Sequence, residues 1–593
     1  MAKGKLSIHS ENILPIIKKW LYSEKDIFIR ELISNSTDAI SKLRIIAGRE
    51  NITLNEMRID IHIDKENKTI KIFDTGIGMT GEEIEKYIAQ IAFSGAEDFI
   101  EKYESKDEKD QIIGHFGLGF FSSYMVAKKV EIHSLSYQKE AKASHWICDG
   151  SSDYELLESD KTSIGTEITL HISEDSEEYL DESKLNQIVK RFCPYLPYPI
   201  YINDQHINNK DPLYLKPASE CSNEDYLSFY KELYPFEKDP VFWIHFNVDY
   251  PFNLKGILYF PHIEPNYDLN KSEIKLFCNR VFVSNDCKEI LPKHLMILKG
   301  ALDSPDIPLN VSRSFLATDH TVRKLASHIS KKIASQLKSK YLSDKEAFIK
   351  IWKEIEIIIK LSILQDGEFY DKVKDCFLFE TLNGSFVTIK EYLEQNKDKT
   401  QDKIFYVHAN QKDSSLTKLY KEKNIDILLL NPYIDASVIS FLEPKESCKF
   451  ERIDGNLDAL INSENKEEEN EETINFIKEV IDSESFSIET KSFESKTLPG
   501  IIHTSEEERR FADFMKMAQN QTLPMKKSLI LNNSHPLMQK ALELKDTSPE
   551  MAKNLIQHLY DSTRLAQNEV LAEELPSILE RSSNLISFLS SSL

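Results

Sequence analysis

The chain has 593 residues, which is too long for one hydrophobic core and predicts several domains of roughly 100–200 residues each; we expect three. Its 74 Lys and Arg residues against 97 Asp and Glu residues give a net charge of −23. A surface of that sign argues against a nucleic-acid partner.

The cysteines and the apolar segments limit the cellular compartments in which the protein is expected. The seven cysteines are odd in number and show neither CxxC nor His-rich metal spacing, so we expect a reducing environment, no disulfides and no zinc. No apolar run is long enough to span a membrane, and Met1 to Lys5 lead into no apolar signal core. A soluble, cytoplasmic protein without a membrane partner is expected.

The segment from Lys25 to Ile40 carries apolar residues at helical spacing and has no Gly or Pro, which predicts a long amphipathic helix. Glu31, Asn35 and Asp38 stand at i, i+4 and i+7 and therefore share one face. Magnesium favours oxygen ligands, so this face suits a magnesium ion with one carboxylate left as a general base. The alternative is an ordinary solvated face, which this helix taken alone favours.

Residues 69–74 alternate apolar and polar side chains and predict a strand that ends at Asp74. Gly76 and Gly78 follow, and glycine lets the backbone approach a flat ligand closely. An ionised Asp74 would accept hydrogen bonds from an exocyclic amine such as that of adenine. A plain turn is the alternative.

Gly114, Gly117 and Gly119 precede a predicted helix, a geometry that offers backbone N–H groups to phosphate oxygens. The spacing is neither that of a Walker loop, which ends in Gly-Lys-Ser/Thr, nor that of a dinucleotide fingerprint. By itself this pattern is weak.

Together, residues 28–39, 74–80 and 114–120 resemble the nucleotide-binding motifs shared by gyrase B, histidine kinases, mismatch-repair MutL and the heat-shock protein 90 chaperones. The amino-acid sequences of these three motifs are most similar to those of the bacterial type of these chaperones. The resemblance implies an α+β multidomain fold: an N-terminal GHKL (Bergerat) ATP-binding α/β sandwich, an α/β middle domain and a mainly helical C-terminal dimerisation domain.

The resemblance also implies roles for single residues. Glu31 would polarise the attacking water, Asn35 would ligate magnesium, and Asp74 would fix adenine with help from Thr166, while Met79 and Phe120 pack around the base. The ATP-binding residues implied in this way are Asn35, Asp38, Asp74, Gly78, Met79, Gly114, Phe116, Gly117, Gly119, Phe120 and Thr166.

Residues 274–292 and 300–313 resemble the middle domain of the same chaperones. Pro305 and Pro308 rule out a continuous helix, so residues 310–313 are expected on an exposed loop. The planar charged fork of an arginine can stabilise a transferring phosphoryl group. The resemblance makes Arg313 the second catalytic residue, whereas a lone arginine would otherwise suggest a surface ion pair.

The expected domains are 1–212 with an ATP lid at about 82–120, 222–485, and 498–593. Strands are predicted at 241–248 and 256–260, helices at 321–338 and 348–363, and exposed linker at 464–472 and 483–499. Residues 533–541 resemble the start of the dimerisation domain. Downstream, Pro576 divides two predicted helices that either pair across a two-fold axis or form internal core. Their apolar positions are Leu555, Leu559, Ile578, Leu585 and Leu589.

The resemblance implies an ATP-dependent chaperone: a homodimeric clamp that closes on ATP, reopens on a weak, conformationally gated hydrolysis, and acts on partly folded clients. Other chaperones are further partners that the resemblance suggests. Phe93, His115 and Ala317 depart from the family's basic lid residue and two glutamines. A histidine kinase would need a phosphoacceptor histidine domain, and a gyrase a DNA-gating lysine. The more serious alternative is a scaffold that binds ATP without turnover.

Overall fold

In the computed structural model the chain forms two compact units, residues 1–333 and 334–593. The structure describes residues 24–50, 56–90, 93, 113–114, 117–151, 153–208, 211–262, 273–285, 295–307, 320–400, 402–409, 412, 414–431, 434–455, 471–481, 486–505, 508, 510–511, 515, 527–567 and 569–591.

The first unit mixes helices and strands along its whole length. Its α-helices are α1 (Ile27–Glu50), α2 (Gly81–Tyr87), α3 (Glu182–Phe192), α4 (Asn223–Leu233) and the start of α5 (His320–Ser343). Its strands are β1 (Ile59–Asp64), β2 (Thr69–Asp74), β3 (Ala127–Leu135), β4 (Ser144–Cys148), β5 (Glu155–Glu158), β6 (Gly165–Ile172), β7 (Ile200–Ile202), β8 (Gln205–His206), β9 (Phe242–Val248), β10 (Leu254–Phe260), β11 (Glu273–Cys278), β12 (Val281–Ser284) and β13 (Lys299–Asp303). Its 3-10 turns are Gly119–Met125, Glu174–Leu180, Leu213–Leu215 and Ala218–Glu220.

The first eight strands form one sheet in the order β5-β4-β3-β6-β2-β1-β7-β8. The pairs are antiparallel except for β1 with β7. Along β3 the side chains of Val130, Ile132 and Ser134 are buried, whereas Glu131 and His133 between them are only half-buried. This alternation gives the sheet one apolar face, which packs on the core, and one polar face.

The remaining strands of the unit form a five-stranded sheet in the order β12-β11-β13-β10-β9. The predicted strands at 241–248 and 256–260 are confirmed as β9 and β10. Aromatic contacts join this sheet to the first half of the unit, since the ring of Phe192 lies 6.0 Å from that of Phe282 and Tyr195 lies 5.3 Å from Phe277. One apolar core therefore contains residues from both sides of the predicted boundary at residues 212–222. The division of the chain into three domains stays a prediction.

The second unit contains the rest of α5 and further helices: α6 (Lys345–Gln365), α7 (Gly367–Val373), α8 (Ile389–Thr400), α9 (Ser415–Glu422), α10 (Asp435–Glu446), α11 (Glu471–Lys478), α12 (Pro536–Leu544), α13 (Pro549–Ala566) and α14 (Leu575–Ser591), with a 3-10 turn at Lys374–Cys376. Its strands are β14 (Phe379–Glu380), β15 (Phe386–Val387), β16 (Lys403–His408), β17 (Leu428–Leu430), β18 (Lys449–Arg452), β19 (Phe486–Lys491), β20 (Gly500–His503) and β21 (Lys527–Asn532).

These strands form a hairpin of β14 with β15, a parallel sheet β17-β16-β18 and a mixed sheet β19-β21-β20. The predicted helices at 321–338 and 348–363 are confirmed and lie within α5 and α6. Across the described residues, no helix combines the length and apolarity that crossing a bilayer requires.

The two C-terminal helices are found, but one expectation about them needs correction. Pro576 does not separate them; it is the second residue of α14, where a missing N–H costs no helical hydrogen bond. The apolar positions of these helices were expected either to pair across a two-fold axis or to form internal core, and their burial within the single chain supports the second alternative. Those described as buried are Leu555, Leu559, Ile578 and Leu585, while the side chain of Leu589 lies outside the described residues.

Candidate functional site

Helix α1 supplies the acidic face expected from the sequence, and the structure buries most of it. Glu31 and Asp38 are buried, and Asn35 between them is half-buried. Buried hydroxyls on the same helix are satisfied by the helix itself, since Ser34 donates to the carbonyl of Arg30 at 2.6 Å and Thr37 to that of Ile33 at 2.9 Å. The polar residues of α1 thus line an interior site.

The carboxylate of Glu31 is held from both sides. Its Oε1 accepts hydrogen bonds from Nε and Nη2 of the buried Arg30, at 3.1 and 2.9 Å. The Arg30 guanidinium in turn lies 5.5 Å from the ring centroid of Phe192. On the other side, a Cβ added to Gly119 would lie 2.6 Å from Glu31 Oε2. The Glu31 carboxyl group is therefore fixed in contact with the glycine-rich segment.

Asp38 anchors the beginning of that segment. Its Oδ1 accepts from the backbone N–H of Ile113 and its Oδ2 from that of Gly114, each at 2.7 Å. The glycine pattern predicts that the Gly114 N–H faces a phosphate, whereas in the structure it donates to the Asp38 carboxylate. Asp38 thereby holds residues 113–114 against α1.

Gly117 allows a close approach of two backbone segments. Its φ is +63°, and a Cβ there would lie 2.5 Å from the carbonyl oxygen of Phe93. The Phe93 ring stacks on that of Tyr87 at 6.0 Å, and the Lys86 ammonium lies 5.4 Å from its centroid. The aromatic residue found where the family has a basic one is thus packed against α2.

Helix α2 begins with a capping box. The Thr80 hydroxyl accepts from the Glu83 N–H at 3.2 Å, and the Glu83 carboxylate accepts from the Thr80 N–H at 2.8 Å. This cap fixes the point at which the chain leaves the Asp74 turn and enters the predicted lid. Only residues 82–90, 93, 113–114 and 117–120 of that lid are described.

Asp74 lies at the end of β2 with its side chain buried. Burial raises its pKa from 3.8 to about 7, although hydrogen bonds from the Gly76 N–H and the Ser36 hydroxyl oppose the rise. The Gly76 N–H donates at 2.9 Å. Gly76 itself packs on α1, because a Cβ there would lie 2.5 Å from that of Ala39.

A hydroxyl pair lies beside Asp74 on the neighbouring strands. Thr166 pairs with Asp74 in the register of β6 with β2, and its hydroxyl lies 2.9 Å from that of Ser134. Ser134 also accepts from the backbone N–H of Met79 at 2.8 Å. Gly78 completes this arrangement, since its φ of +65° lets it lie against the Leu135 carbonyl. The structure thus brings Asp74, Thr166 and Met79 together.

Phe120 is buried in an aromatic cluster. Its ring meets Phe121 at 5.6 Å and Trp146 at 5.8 Å, both edge to face, and Tyr124 at 6.3 Å. Residues 119–125 form a 3-10 helix where an α-helix is expected. Phe120 therefore fixes the glycine-rich segment to the core, and its contact with a base stays a prediction.

Sequence reasoning missed three residues of this site: Arg30, Ser36 and Ser134. Arg30 adjoins Glu31 in the chain, yet nothing in the spacing shows that its guanidinium folds back onto that carboxylate. Ser134 becomes a partner only through the pairing of β3 with β6. Of the sequence-predicted residues, Arg313, Phe116, His115 and Ala317 lie outside the described residues.

Comparison with known families first defines the class of the site. Residues 23–177 match the family model described as "Histidine kinase-, DNA gyrase B-, and HSP90-like ATPase", which spans the helix, the Asp74 turn and the glycine-rich segment. The site is that of an ATPase of this class.

Residues 202–587 match the family model described as "Hsp90 protein". The chain therefore belongs to the Hsp90 family, as its sequence motifs predict, and as a member of that family it is an ATP-dependent molecular chaperone and an ATPase.

Several relatives cover nearly the whole chain, and each carries the name "Chaperone protein HtpG". That of Bacteroides thetaiotaomicron is 40% identical over 607 residues, covering 96% of this chain and 88% of the relative. That of Bacteroides fragilis is 41% identical over 589 residues, covering 93% and 86%. That of Porphyromonas gingivalis is 36% identical over 611 residues, covering 96% and 89%.

Proposed function

We propose that the chain works as a homodimeric clamp that closes on ATP, reopens after a slow hydrolysis, and in doing so remodels or stabilises partly folded client proteins. The observation that carries this proposal is the contact between the Glu31 carboxylate and Gly119, which puts a general base against a phosphate-binding type of segment.

Adenine binds at the Asp74 end of the site. An oxygen of the Asp74 carboxyl group accepts from the exocyclic amine, and Thr166 supplies a second polar contact, held in place by the Ser134 hydroxyl at 2.9 Å. Gly78 and Met79 form the wall along which the base lies. Because Asp74 is buried, water does not compete for this hydrogen bond, and the site favours a base that has an exocyclic amine.

The phosphates bind at the Glu31 end. Arg30 holds Oε1 of Glu31, so that Oε2 points toward the glycine-rich segment, where it polarises the attacking water. Asn35 is half-buried and lies between Glu31 and Asp38 on α1, and both of those carboxyl groups already have hydrogen-bond partners. The side-chain oxygen of Asn35 is therefore the suitable ligand for Mg²⁺, which needs few protein ligands. Bound Mg²⁺ would neutralise phosphate charge. Asp38 and Gly117 act by holding the segment in place.

Residues 82–120 form the lid, and Arg313 of the middle segment reaches the γ-phosphate only when the clamp closes. An arginine that arrives with closure makes hydrolysis depend on conformation, which explains a weak and gated ATPase. His115 and Ala317 lack the amide group of the glutamines that the family has at these two positions of the sequence. Phe93, which packs under Lys86, leaves the lid without its usual cation at that position.

Dimerisation occurs through α14. Although the predicted apolar positions are internal, this helix presents another apolar stripe, because Leu575 is 40%, Leu579 57% and Ile586 66% exposed. These residues stand at i, i+4 and i+11 and share one side of the helix, so a second copy of the chain can cover them isologously.

The cytoplasm is the compartment that we propose. Among the described residues, six cysteines are unpaired thiols: Cys148, Cys193, Cys221, Cys278, Cys376 and Cys448. Thiols kept in this state fit a reducing environment.

The deciding experiment is ATP turnover by the purified chain, compared with Glu31→Ala and Arg313→Ala, with ATP binding and dimerisation measured on all three. Turnover abolished in Glu31→Ala and reduced in Arg313→Ala, with binding retained, supports the clamp. ATP binding without turnover in the natural chain would instead show that the protein is a scaffold that binds ATP without hydrolysing it. Absence of ATP binding would refute the assignment of this pocket as a nucleotide site.

A further inference from the structure

A cluster of imidazoles and one carboxylate lies on the polar face of the eight-stranded sheet. Glu131 and His133 belong to β3, His145 to β4 and His171 to β6. Side chains alternate along a strand, so this cluster is on the side of β3 opposite to Ser134, and it is no part of the nucleotide site.

Three of these side chains lie close enough to share one ion. Glu131, His133 and His145 each offer a ligand atom, and the three atoms lie within 4.8 Å of one another. His145 Nε2 is 2.9 Å from Glu131 Oε2. His133 and His145 are direct cross-strand partners, and their rings stack at 3.8 Å with an angle of 16° between their planes.

Neighbouring groups orient these candidate ligands. His133 Nδ1 lies 2.9 Å from the Ser159 hydroxyl, so the ring nitrogen that it offers is Nε2. Glu131 Oε1 is bound by His171 Nε2 at 2.7 Å and by the Lys129 ammonium at 2.8 Å, while Oε2 faces His145. Outer partners of this kind fix the ligands of metal sites.

We propose that Glu131, His133 and His145 form a binding site for a divalent transition metal, with Zn²⁺ as the best match. Two imidazoles and a carboxylate suit Zn²⁺, whereas Mg²⁺ prefers oxygen ligands alone. Zinc bonds of about 2.0–2.2 Å put tetrahedral ligand atoms about 3.3 Å apart, so ligand atoms that now lie within 4.8 Å of one another would move closer on binding. The two imidazole rings would also turn out of their stacked arrangement, so that a nitrogen lone pair of each points at the ion. Water completes the coordination.

This proposal departs from the expectation of no zinc, which rested on spacing along the chain. The two histidines are brought together by the register of β3 with β4, and no local motif records that pairing. A bound ion would cross-link the two strands and stabilise the first unit, since it binds only the folded sheet.

The test is zinc binding by the full-length, chelator-treated chain in the absence of ATP, whose phosphates bind metals themselves. A chromophoric chelator competes for Zn²⁺, and Co²⁺ absorption reports the coordination geometry. We expect one site per chain that is lost in His133→Asn and His145→Asn. The matched control is His62→Asn, a histidine of β1 in the same sheet, which should bind as the natural chain does.

Two further variants distinguish ligation from a merely structural role. His171→Asn should weaken zinc binding about 10- to 100-fold, the usual effect of losing an outer partner. Lys129→Gln should tighten zinc binding, because it removes a positive charge 2.8 Å from the same carboxylate. That gain can be measured even if the histidine variants fold poorly.

Equal zinc affinity in the natural chain and in His145→Asn would overturn the proposal, as would a Lys129→Gln variant that binds zinc no more tightly. Either result would leave the cluster as a hydrogen-bonded network centred on Glu131. An octahedral Co²⁺ spectrum that the histidine substitutions leave unchanged would count against it equally.

Discussion

Gly119 lies directly against the carboxylate of Glu31: a Cβ at residue 119 would come within 2.6 Å of Oε2, the oxygen that Arg30 does not hold. The contact joins two segments about 90 residues apart and fixes the distance between the general base and the glycine-rich segment. Gly119 therefore has a steric role in the site.

Gly119→Ala should reduce ATP turnover at least as far as it reduces ATP binding, because the added methyl group displaces the Glu31 carboxylate. Steady-state hydrolysis and equilibrium binding measured on the same preparation separate the two effects. Gly48→Ala is the matched control, since a Cβ at residue 48 of α1 meets nothing within 4 Å. That control should keep its turnover and gain about 0.5–1 kcal/mol of stability. Equal turnover in the two variants would refute the steric role.

Asp74→Asn should abolish ATP binding and change the pH dependence of stability. The folded chain holds the Asp74 proton up to about pH 7, compared with 3.8 for an exposed carboxyl, so the contribution of this group to stability is fully present below pH 3.8 and is lost as the pH rises toward 7. Above pH 7 the buried anion costs up to about 4 kcal/mol.

Removing the carboxyl should therefore raise the free energy of unfolding of the variant relative to the natural chain, by an amount that grows between pH 3.8 and about pH 7 and is constant above it. Scanning calorimetry of the full chain measures this difference, using the transition that ATP shifts in the natural protein. A difference that does not vary with pH would show that Asp74 is not the titrating group.

Thr166→Val should weaken ATP binding, whereas Thr166→Ser should not. Valine has the shape of threonine but leaves the Ser134 hydroxyl without the partner that it has at 2.9 Å. The loss of one neutral hydrogen bond, about 0.5–1.5 kcal/mol, corresponds to about a two- to tenfold weaker affinity. Titration calorimetry with a nonhydrolysable ATP analogue checks it. Equal ATP affinities of the two variants would show that the hydroxyl pair of Thr166 and Ser134 takes no part in ATP binding.

Phe93→Lys alone should not strengthen ATP binding, although it restores the family's basic residue. Its ammonium would enter the position where Lys86 now lies 5.4 Å from the Phe93 ring, so a cation–π contact of about 0.5–1 kcal/mol is replaced by repulsion. The double variant Phe93→Lys with Lys86→Gln should bind ATP more tightly than either single variant. Additive effects of the two substitutions on ATP affinity would contradict this coupling.

Leu579→Glu and Ile586→Glu should dissociate the dimer, because each places a charge in the exposed apolar stripe of α14. Light scattering over a range of concentrations measures the mass. Asn584→Glu is the control, since residue 584 is exposed on the other side of the same helix. A dimer that survives both leucine and isoleucine substitutions would place the interface elsewhere.

The sequence predicted the parts of the fold that depend on local patterns. The helix from Lys25, the strand that ends at Asp74 and the helices near residues 330 and 355 all appear where periodicity put them. Pro576 was misjudged because proline is tolerated in the first turn of a helix as well as between helices. The apolar positions of the last two helices were left open between an interface and internal core, because periodicity finds a buried face without saying what covers it.

The amino-acid sequence by itself determined the family, the acidic face of α1 and the glycines of the site, since short-range order along the chain encodes these. Only the tertiary structure decided which partners those residues meet. Arg30 on Glu31, Asp38 on the glycine-rich segment and Ser134 on Thr166 arise from strand register and from segments that are distant in the chain. The same is true of His133 beside His145, because pairing between strands leaves no local signature.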